Sequence, residues 1–265
     1  MICLIFSMMV LLVSCLTGGE EKGSISLLKE GSETTVSELP LHNYDFANLT
    51  FDNGIARYED ENYSSQFGVD VSEHNANVDW NAMKNAGVQF AFIRAGYRGY
   101  TEGILHEDAY YRTNMEGAKN SGISIGVYFF SQAVSVQEAV EEAEFVLALL
   151  NGYDITLPVV YDFETYSPET GARTNNLSMS QRTDNAIAFM ETIKNAGYEV
   201  MLYASAYTYQ NLFNAYALTD YPLWVAHYAS LPDYPYAFTM WQYSETGNGN
   251  PTLAGIDLNI AFIPK

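Results

Sequence analysis

Three stretches of the chain carry the same punctuation: "KNAGVQFAFIRA" from Lys84, "KNSGISIGVYFF" from Lys119 and "KNAGYEVMLYAS" from Lys194. In each, a lysine occupies the last turn of a helix, where it complements the negative end of the dipole. Gly87, Gly122 or Gly197 then takes the left-handed conformation that stops the helix, and a β-branched and aromatic run follows as a strand. A joint of this kind used three times constrains the fold strongly. It dictates helices alternating with strands and hence a mainly parallel sheet.

Helix starts are marked as well. "SVQE" (Ser135 to Glu138) and "SMSQ" (Ser178 to Gln181) both fit the capping box, in which a hydroxyl and a Glu or Gln satisfy orphan amides reciprocally. From Gln66 onward the reading is strand 67–72, helix 79–86, strand 89–96, helix 107–120, strand 123–130, helix 136–150, strand 157–163, helix 179–196 and strand 198–204. A short helix near 207–214 and three strands near 222–228, 237–243 and 255–261 complete it. Eight strands with shortened final crossovers suggest a closed barrel, with an open doubly wound sheet as the alternative. A barrel predicts chemistry at the carboxyl ends of several strands.

The acidic residues fit that expectation. Asp70 lies in "FGVDVSEH", Asp162 and Glu164 close "LPVVYDFE", and Asp257 sits in "AGIDLNIAF". Side chains alternate along a strand, so positions 162 and 164 face the same way, about 6.6 Å apart along the backbone. Two such carboxyls in an apolar mouth repel when both are ionised, and burial favours the neutral acid. A raised acid beside an ionised neighbour suits glycosidic cleavage, one group protonating the leaving oxygen and the other stabilising positive charge at the anomeric carbon. A divalent metal site is the rival reading of clustered acids. No His accompanies the Asp-x-Glu and no phosphate-binding glycine loop is present, so no metal or other cofactor is assigned.

Of 265 residues, 12 are basic and 32 acidic, for a net charge of −20. That argues against nucleic acid, whose phosphates need a basic face. A polymeric substrate would then be gripped by neutral hydrogen bonds and stacking. Tyr97, Tyr128, Tyr203, Tyr228, Trp241 and Tyr243 all fall at or near predicted strand ends, where they could stack on sugar rings while Gln242 hydrogen-bonds to them. Tyr128, Trp241 and Tyr243 are the strongest candidates for lining a groove, with Tyr97 and Tyr203 as further substrate contacts. His74 and His227 read as orienting or structural groups, and the loop "TYSPETGARTNNLS" after Glu164, carrying Arg173, as a wall of the cleft.

The amino end is of another kind. "MICLIFSMMVLLVSCLTGG" is an apolar run too short for a comfortable membrane span, followed by small residues as in an export signal. "LVSC", ending in Cys15, resembles the bacterial lipobox, in which the cysteine is acylated, although no Lys or Arg precedes the run. A plain cleaved signal or an anchor helix are the alternatives. Cys3 and Cys15 are the only cysteines, so the domain beyond has no disulfide. The expected organisation is a signal over 1–15, a tether over 16–65 with a short ordered piece near "LHNYDFANLTF", and a catalytic barrel over 66–265. The expected location is a cell-surface lipoprotein held to the bacterial membrane, working as a monomer.

In order, "GVDVSEHN", "VDWNAMKNAGVQFAFIRAGYRG", "GVYFFSQA", "PVVYDFE", "AGYEVMLYAS", "PLWVAHY", "MWQYS" and "GIDLN" resemble the glycoside hydrolase family 25 muramidases over about residues 67–262. The resemblance implies a TIM-like α/β barrel of five β/α units followed by three strands, a modified (β/α)8 barrel. It implies cleavage of the β-1,4 bond between N-acetylmuramic acid and N-acetylglucosamine in peptidoglycan. Carried over by position, Glu164 matches the general acid/base and Asp162 the carboxylate that assists the substrate's acetamido group or the oxocarbenium-like transition state. Asp70 and Asp257 match two further acids of that site. Phe163 stands where many members have Trp, and "YFF" at 128–130 lacks a His that some carry. A chitinase-like N-acetylhexosaminidase and a non-catalytic glycan-binding lipoprotein are the other readings.

Overall fold

The computed structural model describes residues 38–265, of which Leu39–Lys265 form one compact unit. The expected signal and the lipobox cysteine Cys15 lie outside the described residues. Among the described residues, no helix is long and apolar enough to cross a membrane.

The strands in chain order are β1 (Leu49–Asp52), β2 (Ile55–Tyr58), β3 (Tyr63–Val71), β4 (Phe90–Arg98), β5 (Leu105–Glu107), β6 (Ser124–Phe130), β7 (Val159–Asp162), β8 (Val200–Ser205), β9 (Leu223–Ala226), β10 (Met240–Ser244) and β11 (Asp257–Pro264). The helices are α1 (Trp80–Asn85), α2 (Tyr111–Asn120), α3 (Val136–Leu150), α4 (Met179–Asn195) and α5 (Ala206–Asn211). Strands β3, β4, β6, β7, β8, β9, β10 and β11 follow one another around a sheet that closes by pairing of β3 with β4, giving a closed eight-stranded barrel in a mixed α/β fold. All neighbours from β3 through β10 run parallel, whereas β11 is antiparallel to both β10 and β3. The open doubly wound alternative is thereby excluded.

The three joints form as their chemistry dictates. Gly87, Gly122 and Gly197 have φ of 95°, 66° and 93°. Each donates its N–H to the lysine carbonyl three residues earlier, and the next residue donates to a carbonyl further back: Val88 to Met83, Ile123 to Ala118, Tyr198 to Ile193. Those bonds satisfy the orphan carbonyls of the last turn. At the helix starts only half of each box is made. Ser135 and Ser178 accept from the N–H of Glu138 and Gln181, but Glu138 reaches the N–H of Val134, and Gln181 bonds Asn185.

Alternation sorts the barrel residues onto two faces. Phe90, Phe92, Val160, Met201, Tyr203, Trp224, Ala226 and Met240 fill the interior, while Val69, Ile93, Phe129, Tyr161, Leu202, Val225, Trp241 and Ile260 belong to the larger core outside it. Gly126 makes room for this filling: a Cβ there would lie 2.4 Å from the Phe92 ring and 2.8 Å from the Pro158 carbonyl.

Residues 39–65 of the expected tether are instead built into the compact unit. β1 and β2 form a hairpin whose Ile55, Ala56 and Tyr58 are buried, and β3 begins at Tyr63. Tyr44 stacks on Phe262 at 4.1 Å. Short aromatic-bearing pieces of this kind show no sustained periodicity, yet each buries a face against an existing surface. The chain joins the barrel at its foot: Leu41 bridges to Tyr236, and the Ala237 N–H donates to Pro40, just before β10 starts.

Candidate active site

At the opposite end of the barrel a polar cavity of about 430 Å³ opens, and all four acids line it. Asp70 is near the carboxyl end of β3 and Asp162 ends β7; Glu164 follows two residues on. Asp257 is the first residue of β11, and only because that strand runs antiparallel does its amino end lie at the mouth. Asp257 and Asp70 are directly paired across the two strands.

Asp70 is the best held of the four. Its Oδ2 accepts from Gln242 Nε2 at 2.8 Å and Asn259 Nδ2 at 2.7 Å. Those amides are themselves oriented, Gln242 Oε1 by the Tyr203 and Tyr228 hydroxyls and Asn259 Oδ1 by Trp224 Nε1. Burial raises the Asp70 pKa, and the bonds from Asn259, Gln242 and Asp257 oppose the rise. Asp257 is pushed up to about 9, first by burial and then by the Asp70 charge, so at neutral pH it keeps its proton and shares it with Asp70.

Asp162 is buried, and its Oδ1 has no hydrogen-bond partner. Burial lifts its pKa well above the carboxylate range; Glu164 and Asp70 add to this and Arg94 opposes it. Glu164 reaches solvent at the cavity surface, yet the surrounding walls raise its pKa too, followed by the Asp70 charge, against the pull of Arg94. Burial thus favours the neutral form of both carboxyls, and the Glu164 charge adds to this at Asp162. An N–H donor reaching the Asp162 carboxyl from the cavity would favour its anion and leave Glu164 as the protonated acid.

Tyr128 and Tyr203 line the cavity as expected, together with Tyr228. Trp241, Tyr243 and Tyr97 do not. Trp241 is fully buried on the outer face of β10 and donates to the His227 carbonyl, and the Tyr243 hydroxyl accepts from the Ala56 N–H beneath the hairpin. The inward residue between them is Gln242. Tyr97 stacks on His106 at 5.0 Å, away from the acids. His74 lines the cavity, and Arg173 pairs with Glu138 at 2.9 Å, bracing the loop after Glu164 rather than facing the acids.

Sequence reasoning missed Arg94, Asn259, Trp224, Tyr166 and Glu245. The phase of "FAFIR" was a usable signal, because Phe90, Phe92 and Arg94 share one face. Arg94 bonds Asp108 at 2.7 Å and lies 3.0 Å from Glu73, a cation whose field reaches both Asp162 and Glu164. Asn259, two residues beyond Asp257, follows the same rule. No group of three or more His, Cys, Asp or Glu among the described residues is disposed to hold a metal ion.

Residues 69–251, most of this closed barrel, match Glycosyl hydrolases family 25. The chain belongs to that family. It is 32% identical over 203 residues to Lysozyme M1 of Streptomyces globisporus, covering 72% of this chain and 66% of that protein. It is 30% identical over 193 residues to the autolytic lysozyme of Clostridium acetobutylicum, covering 72% of this chain but 54% of that one, so it spans about half the length of that relative. The crystal structure of the bacterial lysozyme from Streptomyces coelicolor superposes with a TM-score of 0.62 at 29% identity, over 74% of this chain and 91% of that one.

Proposed function

We propose that this chain is a peptidoglycan muramidase that cuts the β-1,4 bond between N-acetylmuramic acid and N-acetylglucosamine. The observation that carries the reading is the convergence of Asp70, Asp162, Glu164 and Asp257 in one cavity, with the buried Asp162 left short of a hydrogen bond. Membership of family 25 and likeness to two lysozymes support it.

The steps follow from proton bookkeeping. A sugar's acetamido N–H donates to the Asp162 carboxylate from the cavity and stabilises that anion, leaving Glu164, whose pKa is raised, as the protonated acid. Glu164 then protonates the departing glycosidic oxygen as that C–O bond breaks, the Asp162 charge stabilises the positive anomeric centre, and a water adds to the anomeric carbon, giving its proton back to the Glu164 carboxylate. Asp70, fixed by two amides and sharing the Asp257 proton, adds negative potential without competing for the Glu164 proton. The family resemblance and the strand order support a modified (β/α)8 barrel of five β/α units followed by three strands. The export signal and Cys15 acylation belong to the same proposal: a monomer tied to the outer face of a membrane within reach of its wall substrate.

Glu164→Gln lowers wall hydrolysis at least ~100-fold, the usual worth of a general acid. Mass spectrometry of the wild-type digest shows new reducing ends on muramic acid. Cleavage of chitin oligomers in preference to peptidoglycan, or near-normal activity of the variant, would overturn the assignment.

A further inference from the structure

The hairpin of β1 and β2 precedes the residues that match family 25, yet it is tied to the rim of the acid cavity. Its turn, Asn53 and Gly54, meets the loop that joins β10 to β11. Asn248 Nδ2 donates to the Gly54 carbonyl at 3.1 Å, and Asn250 Nδ2 donates to that of Asn53 at 3.3 Å. The two backbones are in close contact there: a Cβ on Gly54, whose φ is 81°, would lie 2.5 Å from the Asn248 carbonyl oxygen. Beside the turn, the Ala56 N–H donates to the Tyr243 hydroxyl at 3.1 Å and the Phe51 ring meets Tyr243 edge-on at 5.7 Å, just before the loop begins.

The far end of the same loop is held from the other side. Asn75 Nδ2 donates to the Gly255 carbonyl at 2.9 Å, while Asn75 Oδ1 accepts from the Ser72 N–H just after β3. Among the described residues, three non-glycine residues have positive φ: Asn53, Asn248 and Ala76. Two of them sit in the hairpin clamp and the third follows Asn75. A left-handed backbone away from glycine is a cost, least for asparagine, and it persists where surrounding contacts impose it. Backbone strain of this kind therefore falls at the two clamps of one loop.

What the clamps hold is a wall of the cavity. Glu245 and Gly255 line it from the loop, and Asp257 lines it just beyond. Burial raises the pKa of both Glu164 and Asp257, and the Glu245 charge adds to it. Asp257 is fixed independently by its pairing with Asp70 across β11 and β3, so the hold of the hairpin bears chiefly on Glu245 and Gly255. We propose that the hairpin is a positioning element for substrate: by clamping the loop through Asn248 and Asn250, it fixes the cavity wall against which a glycan strand lies. This rests on the glycoside-cleavage reading of the cavity and extends it to residues outside the barrel.

The test uses Asn248, which is exposed at the loop surface. Asn248→Gly removes the clamp while keeping a residue at ease with positive φ. In the full chain it raises KM for solubilised peptidoglycan about threefold, the size of one hydrogen bond's net worth, and leaves kcat close to the wild-type value. A merely structural loss would lower the active fraction and appear in kcat instead. Hydrogen exchange read by mass spectrometry quickens over residues 246–256 and stays unchanged in α2 and α4. Gly54→Ala, which forces turn and loop apart, acts in the same sense. An unchanged KM in both variants overturns the proposal, whatever the exchange shows, and leaves the muramidase reading standing. If the wild type does not cut peptidoglycan, both fall together.

Discussion

Asp70 differs from its acidic neighbours because two amides converge on a single oxygen, with the orientation of each amide fixed by a further donor. Those bonds favour its anion against the pull of burial, and its charge is the second contributor, after burial, to the raised pKa of Glu164. Removing the charge makes Glu164 a stronger acid. The protonated form is then lost at lower pH, so Asp70→Asn moves the alkaline limb of the kcat/KM profile towards acid, as a pH series on solubilised wall will show. An unmoved limb, with only a lower plateau, would mean that Asp70 does not act through Glu164. The acids themselves were legible because a carboxyl within an apolar strand is conspicuous. The amides were not: Gln242 and Asn259 are unremarkable residues until the fold places them opposite Asp70. Trp241 and Tyr243 fall outside the cavity for a related reason. Along "MWQYS" period-2 geometry puts Trp241 and Tyr243 on one face and Met240, Gln242 and Ser244 on the other, and only closure of the barrel decides which face looks inward.

Elements were read well where the chain punctuates itself. The Lys-Asn-x-Gly joints located α1, α2 and α4 together with the strands that follow them, because a glycine with positive φ and a cation in the last turn leave few alternatives. The helix over 136–150 has the expected bounds. The hairpin of β1 and β2 was missed, since short strands lying on a surface show neither continuous hydrophobicity nor long alternation. The direction of β11 was also invisible: a purely parallel barrel would carry Asp257 to the foot, away from Asp70. A packing prediction belongs at this scale. Gly126 in β6 leaves the space that the Phe92 ring occupies inside the barrel, so Gly126→Ala forces ring and strand apart. Overpacking of this kind costs about 1–3 kcal/mol. Thermal unfolding of Gly126→Ala drops by several degrees, and adding Phe92→Leu recovers part of the loss; equal melting of wild type and single variant would show that the strand relaxes freely.

For the whole molecule the dominant quantity is charge. With a net of −20 the protein repels polyanions over roughly a Debye length, about 10 Å at 0.1 M salt. Hydrolysis of walls rich in anionic polymer therefore accelerates as salt rises from about 10 to 150 mM, mainly through KM. Walls stripped of that polymer show no such gain, and identical salt profiles for the two would remove charge from the account. The polypeptide meets the barrel beside Leu41 and Tyr236, at the rim farthest from the carboxyls. Residues 40 and 41 thus sit under the base of the cup, and the open bowl faces the other way.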